Sequence, residues 1–268
     1  MSTRIHPSAL VDPRAELGDN VEVGPFAVVE AGAKIGAGTR LMAHTYVCGQ
    51  AELGPACVIH MGAVLGHTPQ DRSYKDEPTR ATIGARTVVR ENVTIHRSTG
   101  EGTATRVGDD CFLMAGSHVA HNCVLGDRVM LANGAQLAGH VQIGDGAIVS
   151  GNVVIHQFVR VGRLAILSGG SRFGMDVPPY LIGDGTNSVT SLNSVGLRRS
   201  PVLTPEDRTQ LKEAYRILYR SGLDLPGALE RLRAEFTSPA VAHWVEFLSQ
   251  PSPRGFCRYK PSRRHGPE

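Results

Sequence analysis

A six-residue period constrains this chain more than any other feature. Stepping by six from Ile5 to Leu167 visits 28 positions, and 25 of them hold Ile, Leu or Val. The exceptions, Asp71, Glu77 and Glu101, fall in two short stretches. Four residues after the steps stand small side chains such as Ala27, Thr39, Cys57, Ser117, Cys123 and Ala147. A phase held this long implies a β-helix, with one aliphatic side chain per hexad pointing inward and a small neighbour letting the coil turn a corner. Composition agrees: among 268 residues aromatics are only 5% while Gly numbers 31, which favours a thin, turn-rich architecture over a bulky core.

A second pattern sets the size of the coil. Glycine follows the aliphatic at Leu17, Ile35, Leu53, Ile83, Val107, Leu125, Ile143 and Val161, mostly 18 residues apart. The gap from 53 to 83 is 18 plus 12, and that from 83 to 107 is 18 plus 6. Extruding loops of those lengths, over about 66–82 and 98–106, puts all eight glycines on one corner of a three-hexad coil. The phase exceptions then lie inside the loops. Both loops leave near one face, and loops on a rigid scaffold often carry function.

The repeat decays after Phe173, and Asp176-Val-Pro-Pro-Tyr180 is a stiff breaker. Residues 1–186 are read as the β-helix and 187–268 as a small α-helical C-terminal domain. Thr204-Pro205-Glu206-Asp207 reads as a helix start with N-cap, N1 proline and an acid at N3. That helix should stop near Ser221-Gly222. A second is expected over Pro226 to Phe236 and a third from Ser238-Pro239, with a frayed tail from Pro251.

Several functions are excluded on the way. A net charge of +3 is too small to indicate nucleic-acid binding. The five cysteines form no CxxC pair, which speaks against a disulfide framework or zinc knuckle and for a reducing compartment. No signal peptide and no membrane span of about 18 apolar residues is found. A soluble, cytoplasmic protein is expected.

On the three-hexad map, His67, His96, His121, His140 and His156 stack on one face, one per coil, with His118 beside His121. Gly139 falls one coil above His121. Histidine suits proton transfer near neutral pH, and a rigid wall suits preorganisation. A glycine on the next coil offers an open N–H to a developing oxyanion. Base plus donor points to acyl transfer without a covalent intermediate. Cys123 is the alternative nucleophile, but it occupies the small inward position, where Cys acts as a small hydrophobe. His6, His44 and His243 read as solvated surface residues.

Ser117-His118-Val119-Ala120-His121-Asn122-Cys123, Leu131-Ala132-Asn133, Leu137-Ala138-Gly139-His140, Ile155-His156-Gln157-Phe158 and Asp176-Val177-Pro178-Pro179-Tyr180 together strongly resemble one family. It is the acyl-carrier-protein:UDP-N-acetylglucosamine 3-O-acyltransferases, which start lipid A biosynthesis. The resemblance covers nearly the whole chain and implies a mainly β fold, a left-handed parallel β-helix. It implies that His121 is the general base toward the sugar 3-hydroxyl and that Gly139 N–H holds the oxyanion. It further implies substrate contacts from Asp71, His118, His140, His156 and Gln157, and a nucleotide end at Asn193, Arg198 and Arg199. Two guanidiniums beside a diphosphate also suit charge and fork geometry. Gly169 matches a floor position of the acyl groove, where glycine goes with a longer chain.

The implied partners are acyl carrier protein, UDP-N-acetylglucosamine and two further copies in a homotrimer, with Arg216, Arg220, Arg231 and Arg233 as a basic landing surface for the carrier. No cofactor or metal is expected. The gamma-carbonic-anhydrase type of β-helix binds zinc through three histidines, but its ligand spacing differs from His118 to His121. The sequence departs from the family at Asn122, where Asp is frequent, at Ser73 in place of Lys, and at Val195 in place of an acid. It leaves open N-acylation of the 3-amino analogue of the sugar nucleotide, and a non-catalytic hexapeptide sugar-nucleotide binding module.

Overall fold

The computed structural model describes residues 3–260. Short strands, mostly of two residues, alternate with tight corners and stack in parallel as three sheets of 12, 9 and 8 strands. The chain is a left-handed parallel β-helix carrying a small helical C-terminal part. The first face starts at Arg4–Ile5, the second at Leu10–Val11 and the third at Glu16–Leu17. Register follows the sequence arithmetic. Leu125 pairs with Ile143 across 18 residues, Leu53 with Ile83 across 30, and Ile83 with Val107 across 24.

The inward aliphatics form the core. Leu113, Leu131, Val149 and Leu167 from the first face meet Val119, Leu137 and Ile155 from the second and Leu125 and Ile143 from the third, all nearly inaccessible. Each such burial stabilises by roughly 1.5–3 kcal/mol. Cys57, Cys111 and Cys123 fill the small corner positions, and burial pushes the Cys123 thiol up to about 12. The recurrent corner glycines permit close stacking of coils: a β-carbon on Gly108 would lie 2.6 Å from the Gly126 carbonyl carbon.

The outward rows differ by face. The third face presents Glu16, Lys34, Glu52, Thr82 and Arg106. The first face presents Val58, Val88, Phe112, Met130, Ile148, Ile166 and Ile182, all half-buried. The two loops run between strands Val64–His67 and Arg80–Ile83, and between Thr94–His96 and Ala104–Val107. They are slightly shorter than expected because both flanking strand pairs extend into their bases.

Beyond the coil, Ser188–Leu192 turns back antiparallel to Leu181–Gly183 and continues the first face. Four helices follow or flank it: α1 Ser194–Arg199, α2 Pro205–Arg220, α3 Leu225–Glu235 and α4 Pro239–Ser249. Helix α2 starts with a full capping box between Thr204 and Asp207. Trp244 and Leu211 are sealed at the centre of the helical part. The expected fraying from Pro251 is corrected as far as residue 260. Arg258–Tyr259 pairs with Ser188–Val189, and Cys257 N–H donates to Asp176 O at 2.8 Å. Asp176 is itself fully buried against Arg160, which anchors that return. Residues 261–268 of that tail lie outside the described residues.

Candidate active site

The corner between the second and third faces gathers the histidines and both loops. Its tight turns leave the second residue's N–H without a backbone partner on the neighbouring coil. Prolines 7, 13, 25 and 55 occupy that place elsewhere in the helix. Here the place holds His121, then Gly139, then Gln157 on successive coils. The third turn residues, Asn122, His140 and Phe158, all have positive φ.

The rings form two files rather than one. His67, His96 and His118 are one file, with centroids 6.4 and 4.8 Å apart. His121 meets His140 edge-on at 5.3 Å, and His140 stacks on Phe158 at 4.5 Å. Phe158 takes the stacking place below which His156 remains exposed, its Nδ1 3.3 Å from Gln157 O. Gln157 is exposed as well.

His121 has a fixed tautomer. Oδ1 of Asn122 accepts from the Thr99 N–H and hydroxyl, both at 3.0 Å, and Nδ2 of Asn122 donates to Thr99 O at 2.9 Å. A backbone N–H only donates and a carbonyl only accepts, so the amide orientation is determined. The His121 Nδ1 lies 2.9 Å from that Oδ1 and must carry the proton. Nε2 is left as an acceptor facing the first loop. Asp71 Oδ2 stands 3.9 Å from it, beyond hydrogen-bond range. Asp71 Oδ1 accepts from Ser73 N–H at 2.9 Å and from its hydroxyl at 2.8 Å, which hold the carboxyl below its ordinary range.

Gly139 lies directly against the ring. A β-carbon there would come within 2.5 Å of His121 Cε1 and Nε2. Among the described residues nothing accepts from its N–H. The flanking histidines are shifted toward the neutral form. Burial and the nearby His118 lower His96 to about 4, and burial with His121 lowers both His118 and His140. His118 Nδ1 is held at 2.7 Å by the Thr94 hydroxyl.

Of the expected nucleotide residues, Asn193 and Arg199 lie beside another corner, between the third and first faces. Asn193 is buried and occupied: it caps α1 through Gly196 N–H at 3.0 Å and donates to Leu164 O at 2.8 Å. Arg199 lines a hollow of about 290 Å³ with Arg128, Asp145, Arg163 and Val195. Arg198 lines a different one, of about 430 Å³, with Arg208 and Lys212. The adjacent arginines thus diverge around the short helix. Gly169 is exposed on the remaining corner, beside Gly151. On the C-terminal helices, Arg216, Arg220 and Arg231 line a groove that also contains Glu213 and Glu235. Arg231 is paired with Glu235, and Arg233 donates to Ser249 at 2.7 Å.

Thr94, Thr99 and Glu77 were not expected at the site from the sequence. Their only signal was a place in or beside the extruded loops, which gives no contact.

A β-helix of three-hexad coils with a histidine-lined corner defines a hexapeptide-repeat acyltransferase. Residues 104–139 match the family model of the bacterial transferase hexapeptide (six repeats), and residues 176–257 match domain 2 of the UDP-N-acetylglucosamine O-acyltransferases. The acyl-(acyl-carrier-protein)–UDP-N-acetylglucosamine O-acyltransferase of Thermodesulfovibrio yellowstonii is 42% identical over 257 residues, spanning 95% of this chain and 99% of its own. That of Halorhodospira halophila is 44% identical over 259 residues, spanning 96% and 100%. The crystal structure of the UDP-N-acetylglucosamine acyltransferase of Bacteroides fragilis superposes with a TM-score of 0.89 at 39% identity, over 94% of this chain and 99% of that one. The chain belongs to the UDP-N-acetylglucosamine O-acyltransferase family.

Proposed function

We propose that this acyltransferase moves an (R)-3-hydroxyacyl group from acyl carrier protein to the 3-hydroxyl of UDP-N-acetylglucosamine, the first step of lipid A biosynthesis. The names of its relatives carry this substrate pair. The observation that carries the chemistry is His121, its Nδ1 engaged by Asn122, standing beside the open Gly139 N–H with Nε2 free of that bond. Nε2 takes the proton of the 3-hydroxyl as that oxygen attacks the thioester carbonyl. The Gly139 N–H donates to the tetrahedral oxyanion. Collapse breaks the carbon–sulfur bond, and His121 returns the proton to the leaving pantetheine sulfur.

The 3-hydroxyl donates its single proton to His121 Nε2, and Asp71, whose Oδ2 stands 3.9 Å from Nε2, is left to accept from a second donor of the sugar. Asp71 therefore serves as the sugar contact. It also supplies the charge that stabilises imidazolium, which the neutral Asn122 lacks. His118, His140, His156 and Gln157 position sugar, pantetheine or acyl groups. Burial and the nearby His121 lower the pKa of His118 and His140, which favours hydrogen bonding over charge pairing.

The assembly is a homotrimer. His121 stands on one corner of the coil while Asn193 and Arg199 stand beside another, so one site needs an edge from each of two copies. The apolar outward row from Val58 to Ile182 supplies the face that a neighbour covers. In that arrangement Asn193, Arg198 and Arg199 bring the nucleotide end to a neighbour's His121. Gly169 lies along the groove between copies, where the lack of a side chain accommodates a longer acyl group. Arg216 and Arg220 form the landing surface for the acidic carrier. A cytoplasmic location fits five buried, unpaired cysteines, and no helix of the described residues is long and apolar enough to cross a membrane.

One observation favours a second reading. The amide partner of His121 gives a weaker base than a carboxylate partner, and a 3-amino acceptor needs less base. Mass spectrometry with UDP-N-acetylglucosamine, its 3-amino analogue and a panel of (R)-3-hydroxyacyl carriers tests both. Acyl transfer to the hydroxyl supports the first reading, transfer to the amine alone supports the second, and nucleotide binding without product supports a binding module.

A further inference from the structure

We infer that Glu77 is a positioning residue whose carboxylate ties the loop carrying Asp71 to the dipeptide Thr99–Gly100, and so fixes Asp71 against His121. The inference rests on the reading of His121 as base and Asp71 as sugar contact. Oε1 of Glu77 accepts from the Gly100 N–H on the second loop at 2.8 Å. Oε2 accepts from the Lys75 N–H on its own loop at 2.8 Å. One residue before Gly100, Thr99 clamps the Asn122 amide with three bonds, and Asn122 in turn orients His121. On the other side, Asp71 O accepts from Tyr74 N–H at 3.2 Å, just ahead of Lys75. A run of bonds thus leads from Asp71 through Glu77, Gly100, Thr99 and Asn122 to His121, and the 3.9 Å gap closes it into a ring.

The chemistry calls for a carboxylate. Two N–H donors converge on this side chain from two loops, and only an acceptor pair satisfies both. Glutamine would turn its amide NH₂ toward one of them, and alanine would satisfy neither. Other ties join the loops nearby: Gly102 N–H to Pro78 O at 3.0 Å, and Arg97 Nε to the Tyr74 hydroxyl at 2.9 Å. Loss of Glu77 should therefore shift the first loop without unfolding it. A sub-ångström displacement of Asp71 falls on the acceptor, not on the acyl donor.

Glu77→Gln and Glu77→Ala, made in the full-length enzyme, test this with steady-state kinetics and amide hydrogen exchange. In Glu77→Ala the KM for the sugar nucleotide should rise about tenfold while that for the acyl carrier stays unchanged. Glu77→Gln should show a smaller rise, and exchange at Gly100 should quicken in both. Unchanged exchange at Gly100 in Glu77→Ala overturns the tie. Faster exchange with both KM values unchanged overturns the positioning role. A wild-type enzyme without turnover overturns the underlying reading and this one with it, and is told apart because exchange needs no substrate.

Discussion

The Nδ1 of His121 donates to Oδ1 of Asn122 across 2.9 Å, and the backbone of Thr99 determines which end of that amide faces the ring. The second loop, not the histidine file, therefore decides which nitrogen of the proposed base is free. Removing the amide should release the ring. Asn122→Ala is expected to lower kcat/KM by about 10- to 100-fold with the fold intact. Asn122→Asp would stabilise imidazolium, raise the pKa of the base and move the acid limb of the kcat/KM profile to higher pH. A pH–rate profile of the three proteins checks both.

Gly139 makes room for the His121 ring as well as exposing an N–H. A methyl group at 2.5 Å from the imidazole cannot be accommodated without moving the ring. Gly139→Ala should lower turnover by about 100-fold or more. Overpacking should cost about 1–3 kcal/mol of stability. Turnover measured beside thermal unfolding separates the two effects.

His96 predicts an acid-labile fold. The residue is 6% exposed, its Nδ1 has no partner among the described residues, and its pKa falls from an ordinary 6.5 to about 4. The unfolded chain binds this proton first. Stability is therefore full above pH 6.5 and declines as pH falls toward about 4, by up to about 3 kcal/mol. Urea unfolding at pH 7.5 and 4.5 should show the decline, and His96→Gln should flatten it.

The outward row on the first face predicts a second kind of loss. Phe112→Asp and Ile148→Asp place a charge on the face that the proposed trimer covers with a neighbouring copy. Light scattering should show monomers, and circular dichroism an intact coil. On the proposed assembly, activity should vanish with the trimer because no neighbour then supplies the nucleotide end.

Much of this architecture was legible in the sequence because a β-helix writes its period directly. Leu53, Ile83 and Val107 pair as the loop arithmetic required, since an inward aliphatic cannot slip by one residue without facing solvent. Thr204, Pro205 and Asp207 announced α2 through capping chemistry alone. What escaped depended on side-chain direction. The map placed the histidines on one corner but could not tell that His140 would stack on Phe158 while His156 stayed outside. It grouped Arg198 with Arg199, which the short helix α1 splits between two hollows. Pairing of Arg258–Tyr259 with Ser188–Val189 rests on contacts about 70 residues apart, and a Pro- and Arg-rich composition hides it.

The central claim is that His121 is the proton acceptor. It is tested most directly by the rate of acyl transfer to UDP-N-acetylglucosamine in wild type and His121→Ala, each confirmed folded and equally associated. The account predicts transfer by the wild type and a loss of at least about 100-fold in the variant, with sugar-nucleotide binding retained. A folded His121→Ala enzyme that keeps most of its turnover would contradict it.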